Sequence, residues 1–199
     1  ALVTRSITYA LDLSEPSAPQ AALTLRHTNP VQSTAACGQR IGGESSYAQW
    51  MQLCYYDYMR VLAPRGSQFV GAHTRPVPDA AMLSEVGDDG TVHTEAGPAG
   101  TSQMSVFQLI GFGETRDTVL RYALPPAIVR RDADGWHYHL SIQKQPGTVA
   151  APFAVELKLP AGARIASASP APAGKSGQTV RWAGMLDADQ AIDLVFQTP

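Results

Sequence analysis

The chain has 199 residues, of which 44% are hydrophobic, 8% aromatic and 16% charged, with a formal charge of −2 at neutral pH. A near-neutral balance with a pI near 6.2 excludes the basic stripe that nucleic-acid binding demands. No apolar run approaches the roughly 20 residues that cross a bilayer as a helix, so membrane attachment is expected only through segments absent from this chain. The start at Ala1, without an initiator Met, reads as the processed end of a longer protein.

Ser6 to Leu13 alternates Ile7, Tyr9, Leu11 and Leu13 with Ser6, Thr8, Ala10 and Asp12, the period of a strand with one buried face. Leu23 and Leu25 continue in a second strand that Asn29-Pro30 stops. Pro30 to Ser46 is small and polar and reads as a loop. Tyr47, Trp50, Met51 and Cys54 fall at i, i+3, i+4 and i+7, predicting a short helix or helical turn near residues 46–54 capped by Ser45 or Ser46.

Tyr55 to Leu62 is rich in aromatic and β-branched residues and ends at Pro64, Arg65 and Gly66, so it reads as a strand. Neither of its faces is cleanly polar, which predicts a central strand covered on both sides. Gly71 to Gln103 carries turn residues and few apolar anchors. It reads as a long loop, with a short strand at Thr91 to Glu95 as the alternative.

Alternation then returns in Leu120/Tyr122/Leu124, Trp136/Tyr138/Leu140/Ile142, Phe153/Val155/Leu157/Leu159, Val180/Trp182 and Ile192/Leu194/Phe196. Turn chemistry separates these runs: Pro125-Pro126, Asp134-Gly135, Pro146-Gly147, Pro160-Ala161-Gly162 and Ala173-Gly174. Together they predict an all-β fold, an antiparallel β-sandwich of immunoglobulin-like type. Residues 1–199 form one unit, or two sandwich lobes (1–125 and 126–199) that meet near residues 125–130.

His137 and His139 share one strand face, about 6 to 7 Å apart, as sheet zinc sites require. They also share it with Ser141 and Gln143, so a solvated face accounts for them. The expectation is no metal, with this pair the weak candidate, and no cofactor. No Gly-x-Ser-x-Gly elbow appears, and catalytic residues are expected to be none. Asp88, Asp89, Asp187 and Asp189 sit in turn contexts, where Asp supports the backbone rather than acting as a paired acid and base. Trp50, Tyr55, Tyr56 and Tyr58 are the candidate binding aromatics, and Asp57 with Arg60 a candidate structural pair. Cys37 and Cys54 bracket a loop. In an oxidising compartment they pair, adding about 3 kcal/mol of stability, and elsewhere they are buried thiols.

Three motifs in order carry a family resemblance: Tyr55-Tyr56-Asp57-Tyr58-Met59-Arg60-Val61-Leu62-Ala63-Pro64-Arg65-Gly66-Ser67, Thr118 to Pro125, and Gln143-Lys144-Gln145-Pro146-Gly147-Thr148. From about Leu23 onward the chain resembles the C-terminal part of the bacterial family called domain of unknown function 4012, departing where Leu62-Ala63-Pro64 stands in place of Tyr-Val-Pro. The resemblance implies an extracytoplasmic place in the cell envelope, on a membrane-anchored parent, and hence pairing of Cys37 with Cys54. It brings no catalytic residues. Physically, Gln145-Pro146-Gly147-Thr148 suits a type II turn, with the Lys144 stem covering apolar surface and its ammonium in water.

The functional expectation is a non-catalytic structural or interaction domain of an envelope protein, whose partner would be a polysaccharide or another envelope protein. The alternatives are a carbohydrate-binding module linked to surface polysaccharide, which needs an exposed aromatic platform, and a hydrolase, which needs an acid and a base within one pocket.

Overall fold

The computed structural model describes residues 2–39 and 46–199; Ser45, one of the two proposed helix caps, lies outside them. The strands in chain order are β1 (Thr4–Asp12), β2 (Gln20–Thr28), β3 (Tyr55–Ala63), β4 (Gln68–His73), β5 (His93–Ala96), β6 (Ser102–Ile110) and β7 (Thr115–Ala123). They continue with β8 (Val129–Asp132), β9 (Gly135–Ile142), β10 (Ala151–Lys158), β11 (Arg164–Ser169), β12 (Gly174–Ser176), β13 (Thr179–Leu186) and β14 (Gln190–Gln197). One helical turn, α1 (Tyr47–Trp50), precedes β3. The fold is all-β and sandwich-like, as the alternation predicts.

Seven strands form one sheet in the order β12-β13-β10-β1-β2-β7-β4, while β11-β14-β9-β8 and β3-β6-β5 form two smaller sheets. Every pairing is antiparallel except β1 with β10, which run parallel with Tyr9 opposite Val155 and Leu11 opposite Leu157. This seam joins strands from the two halves of the chain, and it corrects the wholly antiparallel expectation. Alternation tells which side chains are buried but not which way a non-local neighbour runs.

Residues paired across strands share a face. Tyr9, Leu11, Leu120, Val155, Leu157 and Trp182 therefore line one side of the large sheet, and they belong to the same core as Met59 and Val61 of β3 and Ile192, Leu194 and Phe196 of β14. Both small sheets thus pack on that side. The other side of the large sheet faces solvent and carries in-register ion pairs, Arg26 with Asp117 at 2.7 Å and Lys158 with Asp12 at 2.9 Å. Deep in the core, Tyr9, Tyr122 and Tyr138 lie close together. Burial first, and the neighbouring phenols second, hold the pKa values of Tyr9 and Tyr122 well above the ordinary one, and burial does the same for Tyr138.

Three local expectations are sharpened or corrected. The expected helix is present with its Ser46 cap, in a capping box with Gln49, and only its extent is shorter: it is one turn long and buries nothing, Tyr47 is 80% exposed and Cys54 lies beyond it. The spacing was set by an exposed turn and a disulfide, not by an apolar helical face. Second, β3 is an edge strand and β6 is the centre of its sheet. The burial of both faces of β6, including Ser105 and Gln108, removes the alternation that would announce it. Third, the alternative reading of residues 71–103 holds, with the strand β5 where Thr91 to Glu95 allowed one; the segment also contains the end of β4 and the bridge between Val77 and Asp88, and it packs on the outer side of β3 and β6 through Val77, Ala81 and Met82.

Candidate functional site

Polar side chains enter the sandwich at one end of its inward-facing rows. His27 of β2 follows Leu23 and Leu25 in phase, and its side chain is only 6% exposed. Its Nε2 lies 4.0 Å from Asp57 Oδ2 on β3. Gln108 of β6 donates to the same carboxylate oxygen at 2.8 Å, and Thr118 of β7 donates to Gln108 Oε1 at 2.6 Å. The Tyr55 ring stands 6.1 Å from the imidazole. Burial drives the His27 pKa below its ordinary value, against the pull of Asp57 and helped by Arg5, which favours the neutral ring. His27 Nδ1 is buried without a hydrogen-bond partner among the described residues. The network ties the two layers together, and among the described residues no hydroxyl or thiol is bonded to the imidazole.

Asp57 and the candidate aromatic Tyr55 figure in the sequence expectations, and the expected partner of Asp57 is corrected. Arg60 lies on the opposite, exposed face of β3, because residues three apart on a strand point to opposite sides. The signal for His27 was its position in the apolar phase of β2. Gln108 and Thr118 had none, since neither belongs to a polar face.

The second polar group lies on the outer side of β8, β9 and β14, where a cleft of about 340 Å³ is lined by Arg130, His137, His139 and Asp193 among others. His137 Nε2 is 2.9 Å from Asp132 Oδ1, and His139 Nδ1 is 2.7 Å from Asp193 Oδ1. A backbone hydrogen bond from Asp134 holds the Asp132 carboxyl below the usual range, and His137 adds to it. Each imidazole is therefore committed to its own carboxylate. No group of three or more metal-binding side chains occurs among the described residues, so the donor set here does not fit a zinc ion.

The candidate aromatics do not form one platform. Tyr55 faces inward towards His27, while Tyr56 and Tyr58 lie on the outer face. Tyr56 stacks on Phe107 and donates to the Ala81 carbonyl at 2.7 Å, and Tyr58 donates to Ser105 Oγ at 2.9 Å. Trp50 is half-exposed on α1.

The Lys144-Gln145-Pro146-Gly147 motif is a seam fastener. Pro146 and Gly147, at φ 74°, make a type II turn between β9 and β10. Arg5 of β1 donates to Gln145 Oε1 at 3.1 Å and to Thr148 Oγ1 at 2.8 Å. The Lys144 ammonium, expected in water, instead donates to the Gln145 carbonyl at 3.0 Å and to Thr148, so it closes the turn that follows it. Asp189 accepts from the Lys144 amide at 2.7 Å, while Asp88 and Asp89 accept from the amides of Gly90 and Thr91, the turn roles expected of them. Cys37 and Cys54 are joined in a disulfide with Cα atoms 5.7 Å apart, which is compatible with an extracytoplasmic location.

This architecture defines a two-layer β unit with both small sheets on one side of a large sheet. No protein-family model matches the chain, and no curated protein matches it. Among solved structures it is similar to native yeast LTA4 hydrolase, at 10% identity and a TM-score of 0.50, covering 100% of this chain and 30% of that one. The same yeast enzyme in complex with bestatin gives 8% identity and a TM-score of 0.49, over 97% of this chain and 28% of that one. An M1 zinc metallopeptidase from Deinococcus radiodurans gives 12% identity and a TM-score of 0.40, over 97% and 42%. The chain thus spans less than a third of the length of the yeast enzyme it matches. This likeness corrects the expectation of a non-catalytic envelope module or a carbohydrate-binding module: the whole fold recurs as a component of a hydrolase chain.

Proposed function

We propose that this chain is a β-domain of an extracytoplasmic hydrolase in the bacterial cell envelope. The observation that supports the hydrolase reading is the likeness to yeast LTA4 hydrolase across 100% of this chain, a fold-level analogy. On this reading the domain supports a reacting centre carried elsewhere in the longer protein, consistent with its covering 30% of the yeast enzyme's length. The location is supported by the disulfide between Cys37 and Cys54. It is supported also by the motif resemblance to domain of unknown function 4012.

The test is hydrolysis by the full-length natural protein. Purified with its bound metals, it is assayed on aminoacyl 4-nitroanilides and short peptides, with and without a chelator. The expected result is chelator-sensitive hydrolysis that is lost when residues 1–199 are deleted. A folded full-length protein that cleaves nothing in the panel would refute the reading.

A further inference from the structure

The six sheet edges are not alike. β12 has three residues and β5 and β8 four each, while β4 is bulged between Phe69 and Gly71 and β11 between Ile165 and Ser167. Short strands and bulges are the means by which edges avoid pairing with other chains. β3 has neither: its nine residues keep unbroken register with β6 from Tyr55 opposite Ile110 to Ala63 opposite Ser102. Among the described strands none pairs with its other edge. Its outer face presents Tyr58 at 55% exposure, Arg60 and Leu62 at 48%.

We propose that the β3 edge pairs with β3 of a second copy of this chain, antiparallel about a two-fold axis at Met59. The outer-face residues are self-complementary in that register. Tyr58 falls opposite Arg60 of the partner subunit, a cation over an aromatic ring, and Tyr56 falls opposite Leu62 of the partner subunit. The two-fold axis makes each of these contacts twice. A shift of two residues one way sets Arg60 against Arg60 of the partner subunit, a like-charge clash, and the other way leaves Leu62 opposite Cys54 of the partner subunit, outside β3, so charge and strand length together favour the register at Met59. An acidic extended peptide would find only Arg60 on this row, whereas a second copy satisfies the aromatic, the cation and the aliphatic residue together.

Sedimentation velocity of the full chain, over roughly two decades of concentration, reads the association directly. The expected result is a monomer–dimer equilibrium that Tyr58→Arg weakens by about tenfold or more, because it sets two cations against each other twice per dimer. Adding Arg60→Glu to Tyr58→Arg restores an opposite-charge pair and is expected to recover association to within about threefold of wild type. Leu62→Lys, which leaves the Tyr58 hydrogen bond to Ser105 intact, provides a second disruption should Tyr58→Arg fail to melt like the wild type. A monomer at every concentration overturns the proposal, as does a dimer unchanged in folded Tyr58→Arg or Leu62→Lys.

Discussion

Leu11 sits 1% exposed on β1, between Ala21 of β2 and Leu157 of β10, at the parallel seam where the halves of the chain share one sheet. Leu11→Ala removes roughly three methylene equivalents, about 2.4 kcal/mol of transfer free energy. A cavity term adds to this, because paired strands on both sides prevent collapse, and brings the expected loss to about 3 to 4 kcal/mol. The core is continuous from Met59 and Val106 to Trp182 and Phe196, so the loss is expected in the stability of the whole chain. Urea unfolding checks this in a Trp50→Phe background, where fluorescence reports Trp136 and Trp182 in the second half while circular dichroism reports all the strands. Coincident transitions shifted by the same free energy are expected. A fluorescence transition that Leu11→Ala leaves in place would refute the seam as a coupling element.

Replacing Cys37 and Cys54 together by Ser should cost about 3 kcal/mol for a closed loop of this length, read as a lower urea midpoint; thiol titration of the denatured, unreduced wild type should find no free thiol. His27 has a folded pKa below its ordinary value, so below about pH 6.5 the unfolded chain takes up a proton that the folded chain refuses. Stability contributed by neutral His27 is therefore present above that pH and lost as pH falls, at up to about 1.4 kcal/mol per pH unit. His27→Gln should flatten that slope between pH 6.5 and 5, and an unchanged slope would count against the buried neutral ring. Gly135 stands at φ 135°, and a Cβ there would lie 2.5 Å from the Phe196 carbonyl oxygen. Gly135→Ala should cost upward of about 2 kcal/mol in thermal or urea unfolding, because both the backbone and β14 would have to move.

Strands with one wet face were legible in the sequence: Ile7, Tyr9 and Leu11 in β1, and Trp136 to Ile142 in β9, reveal their burial by period alone. β6 was not legible, because covering both faces erases the period. The helical turn and its Ser46 cap were legible, but not its extent, because Tyr47, Trp50 and Cys54 share a helical spacing with separate fates, two in solvent and one in a disulfide. His137 and His139 lie on the outer face that their alternation predicts. Their carboxylate partners come from Asp132, five residues away, and from Asp193 on another strand.

Composition, alternation and turn chemistry by themselves determined an all-β sandwich, the type II turn at Pro146-Gly147 and the two cysteines available to pair. These follow from interactions among residues near in the chain, or from the single distinction between buried and wet. The tertiary structure decided the parallel seam of β1 with β10, the placing of β3 at an edge and the meeting of His27, Asp57, Gln108 and Thr118. It also showed the likeness to part of a hydrolase. Each depends on which distant strands become neighbours, and a period-two pattern is the same whatever strand lies beside it.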